Sequence, residues 1–315
     1  MRLLLRAMRV LLTVVWMAMA GCTGGEPEAP DATVEDVLPQ AVQSTGDGSL
    51  VLANLHLTDE VLQAVLADAG IPPLKSATLT ENRLTAEGVK ALMASDKSAP
   101  LAWLNVASNR IGDAGFEALA GAPGFASVTQ LFAAGNGATD KGITALASSP
   151  NAAGLTYLSV GDQAVGDAGA QALLKLTALG RLELPRAEIG GAGGRALIEG
   201  TAADALSLEG NPIGPGGLKG LKGFAPGMST LSLKGAGLTL DDIAALAALD
   251  GAGDLRELSL QDNAFGDAGV AAVGQIPWLQ ELDKLQLEGS GCGKEARAKM
   301  RKDWGTRGGL KIEPR

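Results

Sequence analysis

Leu104-Asn105-Val106-Ala107-Ser108-Asn109-Arg110-Ile111-Gly112-Asp113-Ala114-Gly115-Phe116-Glu117-Ala118-Leu119 carries two periodicities in one short stretch. Leu104 and Val106 alternate with polar neighbours, the period of a strand with one buried face. After Asn109, Gly115, Ala118 and Leu119 recur at helical spacing. Asp113 opens that run, where a side-chain oxygen can accept an otherwise unpaired amide hydrogen. The same order returns along the chain. The second apolar strand position falls at Leu52, Leu79, Val106, Ala133, Val160, Leu184, Leu208, Leu233, Leu260 and Leu287, at intervals of 27, 27, 27, 27, 24, 24, 25, 27 and 27 residues. No unit of that length buries its apolar face alone, so the units must stack. A strand that returns through a helix to a parallel neighbour makes a right-handed crossover. Repeated crossovers coil the chain into an arc, with strands inside and helices outside.

The pattern resembles the leucine-rich repeat, in particular its ribonuclease-inhibitor-like subclass, whose repeat ending appears here as Asn109-Arg110-Ile111-Gly112-Asp113-Ala114-Gly115. The resemblance runs from residue 50 to about 312. It implies an α/β solenoid of about ten repeats, a curved parallel sheet lined outside by helices. It also implies that Asn82, Asn109, Asn136, Asn211 and Asn263 bond backbone groups inside the bend after each strand. Leu55, Gln163, Ala187, Ala236 and Ser290 stand where the pattern wants Asn, which predicts an interrupted ladder with looser bends at Ala187 and Ala236. The shorter intervals coincide with Gly190-Gly191-Ala192-Gly193-Gly194 and Gly214-Pro215-Gly216-Gly217. Glycine costs about 1 kcal/mol against alanine inside a helix, so the outer side of these repeats is expected to be irregular.

Residues 1–21 read as a signal peptide. Arg2, Arg6 and Arg9 make a basic start, and Val10 to Ala20 is apolar but too short to span a bilayer. Met19-Ala20-Gly21-Cys22 resembles a bacterial lipobox, which implies lipidation at Cys22. Thr23 follows that cysteine in place of Asp, which implies the outer membrane of the cell envelope. Residues 22–49, with Glu26-Pro27-Glu28-Ala29-Pro30 and Gly46-Asp47-Gly48, predict a flexible acidic tether. Within it Val34, Val37, Leu38 and Val42 are helically spaced, so Thr33–Ser44 is also a candidate cap helix, against which Pro39 argues. The solenoid occupies residues 50–315. Its cap starts at about residue 294, where Ala296, Met300 and Trp304 share one helical stripe and Leu310-x-Ile312 reads as a closing strand.

The chain of 315 residues has a net charge of −9, and removing three arginines with the signal peptide takes it to −12. That argues against nucleic acid and against adsorption to anionic lipid, leaving the lipid on Cys22 as the only membrane contact. Two cysteines cannot form a disulfide framework. His56 sits at the turn position of Arg83 and Arg110 with no nucleophile beside it, and Cys292 aligns with the core position Ile111. Asp113, Asp140 and Asp167 share one slot of successive repeats and read as helix caps in preference to a calcium row. There is no metal-ligand spacing and no phosphate loop, so neither metal, cofactor nor catalysis is expected.

The outward strand positions carry the functional signal. One column reads Ser76, Trp103, Gln130, Tyr157, Arg181, Ala205, Thr230, Glu257, Lys284, and the next Thr78, Asn105, Phe132, Ser159, Glu183, Ser207, Ser232, Ser259, Gln286. Trp103 and Tyr157 lie two strands apart, about 10 Å, with Phe132 diagonally between them. A monomer is expected to bind a protein partner through Trp103, Asn105, Gln130, Phe132, Tyr157, Ser159, Arg181 and Glu183. Glu209, Lys234, Glu257 and Lys284 read as a solvated mixed-charge surface beyond them. A passive structural lipoprotein and a regulator or inhibitor of an enzyme are the alternative roles.

Overall fold

A computed structural model of the protein describes residues 30–305 and 309–312, so the signal peptide and Cys22 lie outside the described residues. Eleven strands form one parallel sheet in strict chain order. They are β1 (Ser49–Val51), β2 (Ser76–Thr78), β3 (Trp103–Asn105), β4 (Gln130–Phe132), β5 (Tyr157–Ser159), β6 (Arg181–Glu183), β7 (Ala205–Ser207), β8 (Thr230–Ser232), β9 (Glu257–Ser259), β10 (Lys284–Gln286) and β11 (Leu310–Lys311). The helices are α1 (Val34–Ser44), α2 (Asp59–Ala67), α3 (Ala86–Ala94), α4 (Gly112–Gly121), α5 (Asp140–Ala147), α6 (Gly166–Leu173), α7 (Gly191–Gly200), α8 (Leu240–Ala247), α9 (Gly266–Val273) and α10 (Lys294–Trp304). This is the solenoid that the repeat spacing predicts.

Each strand is short because only its middle residue and the next apolar position point inward. Leu104, Leu131 and Leu158 are wholly buried, and so are Phe116, Leu119 and Leu146 on the helices behind them. Strands sit about 4.8 Å apart whereas packed helices need roughly 8–10 Å, so the sheet side must be concave. The register is unbroken: Trp103 faces Gln130, Gln130 faces Tyr157, and Tyr157 faces Arg181.

The bends are held by amides. Asn109 donates from Nδ2 to the carbonyls of Leu79 (2.8 Å) and Val106 (2.9 Å), and its Oδ1 accepts from the N–H of Leu84 (3.0 Å). Asn82, Asn136, Asn211 and Asn263 repeat this bridge between coils. Gln163 does not interrupt it. With one extra methylene it still donates to Ala133 (3.2 Å) and Val160 (3.0 Å) and accepts from Asn136 and Ala138. After the first coil the breaks fall at Ala187, Ala236 and Ser290, which have no side-chain amide to offer, and the Ser290 hydroxyl turns to the Cys292 sulfur. The residue before each ladder position is left-handed, with φ from 46° at Arg186 to 73° at Gly289.

Two further expectations need correction. Gly190–Gly194 does not leave an irregular outer side: α7 forms across it, because Leu197 and Ile198 are fully buried and Asp167 accepts the N–H of Gly190. Tertiary packing overrides the glycine penalty there. Between β7 and β8 the expectation holds, and turns around Gly214–Gly217 replace the helix. Within the 22–49 stretch the candidate cap helix forms: α1 continues through Pro39 and buries Val37 and Ala41 over the first coil. The carboxylates of the shared slot, finally, cap the helix of the next coil. Asp113 accepts from the N–H groups of Thr139 (2.7 Å) and Gly142 (3.0 Å) and from the Thr139 hydroxyl (2.9 Å). Asp59 and Asp267 do the same for Thr85 and Gly293, whereas Asp140 is exposed. The repeat glycine exists for this approach: a Cβ on Gly142 would lie 2.9 Å from the Cα of Asp113. At the far end α10 buries Met300 and Trp304, and β11 closes the sheet.

Candidate functional site on the inner sheet

The strand register puts Trp103, Phe132 and Tyr157 on consecutive strands of the inner face. Trp103 and Phe132 have ring centroids 5.2 Å apart at 47°, and Phe132 and Tyr157 lie 4.5 Å apart at 30°. All three rings are half-buried, and Gln130 is exposed in the same column between Trp103 and Tyr157. The guanidinium of Arg181 stands 6.0 Å from the Tyr157 ring centre and donates from Nε to Glu183 at 2.8 Å. Ring, cation and carboxylate therefore form one row across β3 to β6. Burial, then the hydrogen bond to Glu183 and its negative charge, push the Tyr157 hydroxyl well above its ordinary range. Glu183, mainly through its hydrogen bond, also raises Arg181. Both therefore keep their protons at any physiological pH.

Not every expected contact residue is available. Ser159 is only 9% exposed, because Phe132 and Glu183 flank it in register. The amide oxygen of Asn105 accepts from the N–H of Ala107 at 3.1 Å, so it serves its own strand first. His56 lies partly exposed in a left-handed turn, and its carbonyl accepts the N–H of Ala32. Cys292 is buried, with the Ser290 hydroxyl 3.2 Å from its sulfur.

Beyond the rings the face drops into a hollow of about 550 Å³, floored by Ala205, Ser207, Thr230 and Ser232 and walled by Arg181, Glu183, Glu209 and Glu257. Its lining residues are mostly in the two outward columns, with Pro185 and Glu209 added from a third, but a column of residue types does not show that small side chains on β7 and β8 leave a hollow between larger ones. Among the described residues, no group of three or more His, Cys, Asp or Glu is placed to hold a metal, and no helix is long and apolar enough to cross a membrane.

Comparison with known proteins agrees with this architecture. The leucine-rich repeat family matches residues 103–120 and 254–274. A chain in the crystal structure of the Rad7 and Elc1 complex in yeast superposes with a TM-score of 0.58, over 85% of this chain and 69% of that one, at 17% identity. That likeness shows a shared leucine-rich-repeat fold. No curated protein matches the sequence.

Proposed function

We propose that this protein is a non-enzymatic scaffold that binds a protein partner through the inner face of its solenoid. The observation that carries the reading is the Trp103–Phe132–Tyr157 row: three half-buried rings in successive contact through Phe132, on a face formed by backbone that is already ordered. Folded soluble surfaces seldom gather large aromatics without a use, and rigid aromatic anchors lose little entropy when a partner arrives. The fold is one commonly used for protein interaction, and the yeast neighbour was solved in a complex of two proteins.

Location is part of the same proposal. The Met19-Ala20-Gly21-Cys22-Thr23 run supports a chain lipidated at Cys22 and held at the outer membrane, with the solenoid outside the bilayer. Metabolic labelling with a fatty-acid analogue should mark the wild type and leave Cys22→Ser unlabelled; equal labelling of the two excludes the anchor. For the binding site, the protein carrying Trp103→Ala and Tyr157→Ala is compared with wild type in affinity capture from envelope extracts. Each anchor is worth about 2 kcal/mol, so the double variant should lose the captured partner while keeping the wild-type circular dichroism spectrum and a cooperative, modestly lowered melting transition. Undiminished capture refutes the site.

A further inference from the structure

We infer that the segment of the partner seated on the inner face is an uncharged stretch of polypeptide with large apolar side chains; this rests on the binding reading above and adds its chemistry. The charge distribution along the sheet carries the argument. In the two outward columns, no residue from β1 to β5 is an acid or a base, and the third column there reads Ala53, Thr80, Ala107, Ala134 and Gly161. From β6 to β9 every charge in these columns already meets its opposite: Arg181 with Glu183 at 2.8 Å, Lys234 with Glu209, and Glu257 with Lys284 of β10 at 2.9 Å.

A glutamate brought over the rings would lose its water and gain no counter-charge, and a lysine would recover only the part of that loss that the ring quadrupoles return. Either one brought into the hollow would share, or compete for, a group that already has a partner. A neutral side chain does neither. The hollow of about 550 Å³ opens beside the Tyr157 end of the ring row, with room for a bulky apolar side chain over its floor of Ala205, Ser207, Thr230 and Ser232. The net charge of −9 sets the long-range field of the molecule, but the contact surface itself is neutral.

A neutral glycan is the competing uncharged ligand, and the ring geometry disfavours it. Sugars stack on open ring faces. Here Phe132 lies against both neighbours, at 5.2 and 4.5 Å, and Arg181 stands over Tyr157. Phe132 and Tyr157 stack on each other and Trp103 tilts against Phe132, so the inner rings of the row have little open face and meet the solvent as a ridge. A ridge fits between side chains of a polypeptide better than under a sugar ring.

The test uses the purified full chain and a panel of labelled synthetic peptides. A neutral set built from Leu, Phe, Trp, Ser, Thr and Gln is matched by sets with one central Lys or Glu, and an N-acetylglucosamine oligomer is included. Anisotropy titrations should show neutral peptides binding, with affinity changing less than about twofold between roughly 0.05 and 0.5 M salt. Either central charge should weaken binding by about tenfold. Gln130→Glu, which sets an unpaired carboxylate between Trp103 and Tyr157, should shift preference toward the Lys set without altering the melting temperature. Equal or tighter binding of charged peptides to wild type, strong salt dependence, binding of the oligosaccharide alone, or no peptide binding would overturn the inference. If charged peptides bind and Trp103→Ala with Tyr157→Ala abolishes it, the site survives and only its chemistry fails. Peptide binding indifferent to that double variant would refute the site itself.

Discussion

Asn211 is the ladder residue on which the most depends, because its neighbours in the column, Ala187 and Ala236, have no side-chain amide. It is 1% exposed and donates from Nδ2 to Leu184 O (2.7 Å) and Leu208 O (2.9 Å), while Oδ1 accepts from Ala187 N–H (2.8 Å) and Ile189 N–H (3.0 Å). Asn211→Ala removes all four at once and leaves two N–H groups buried without an acceptor. A buried orphan costs about 1–3 kcal/mol. Carbonyls tolerate loss better than donors, and the bend can relax, so the expected loss is about 3 kcal/mol, near the upper range for a single substitution. Asn211→Asp keeps the acceptor half but turns a carboxylate oxygen toward the Leu184 and Leu208 carbonyls, so it should cost at least as much. Urea unfolding followed by circular dichroism reads the total. A stack of repeats need not unfold in one step, so native-state hydrogen exchange at Ala187 and Ile189 gives the local share. Loss below about 1 kcal/mol with both amides still protected would refute the argument that the amide column holds these coils together.

Three further outcomes follow from the same contacts. Burial raises the Asp113 carboxyl, but the hydrogen bonds from Thr139 and Gly142 outweigh it and leave the group below its ordinary value of 3.8. Its stabilising effect is therefore complete above that value and fades as pH falls through the lowered folded one, so Asp113→Asn should cost about 1 kcal/mol at neutral pH and nothing in strong acid. Urea midpoints across pH read the convergence; a constant gap contradicts the assignment. Gly193→Ala should destabilise, although the same change inside an exposed helix usually gains about 1 kcal/mol, because the new Cβ would stand 2.9 Å from the Asp167 Cα. A raised melting temperature would show that α6 and α7 can part. Gln163→Ala should cost about 2 kcal/mol or more and speed exchange at Asn136 and Ala138; an effect as small as that of a surface change would mean that the ladder stops at Asn136.

The strand register was legible to the residue because a period-two pattern with one buried face admits no slip: moving β4 by one residue would bury Gln130 and expose Leu131. The aromatic row followed directly from that register. Other features were not legible because they depend on contacts between coils. Asp113 looks like a cap for its own helix in any one-dimensional reading, and only the stack shows that the N–H groups of Thr139 and Gly142 in the next coil donate to it. Gln163 looked like a break because the pattern specifies Asn, while the bend specifies only an amide within reach. The helix over Gly190–Gly194 was hidden because propensity counts glycines and ignores the burial of Leu197 and Ile198. Parity alone places Ser159 at the surface, although the side chains on each side cover it.

Scaffold and proposed site coincide in one respect. The amide ladder is continuous through Asn82, Asn109, Asn136 and Gln163, the coils of β2 to β5, and it first fails at Ala187, in the coil of β6. Trp103, Phe132 and Tyr157 stand on β3, β4 and β5. Every ring is thus carried by a coil whose bend is cross-linked to the coil before it. The hollow lies over β6 to β9, where Ala187 and Ala236 interrupt the ladder and one coil has no helix behind it. A recognition surface that relies on apolar fit in place of charge attraction gains most from fixed positions, since contacts a few tenths of an ångström too long lose dispersion steeply. The rings stand where every bend is cross-linked to the coil before it, and the hollow falls where that cross-linking is interrupted.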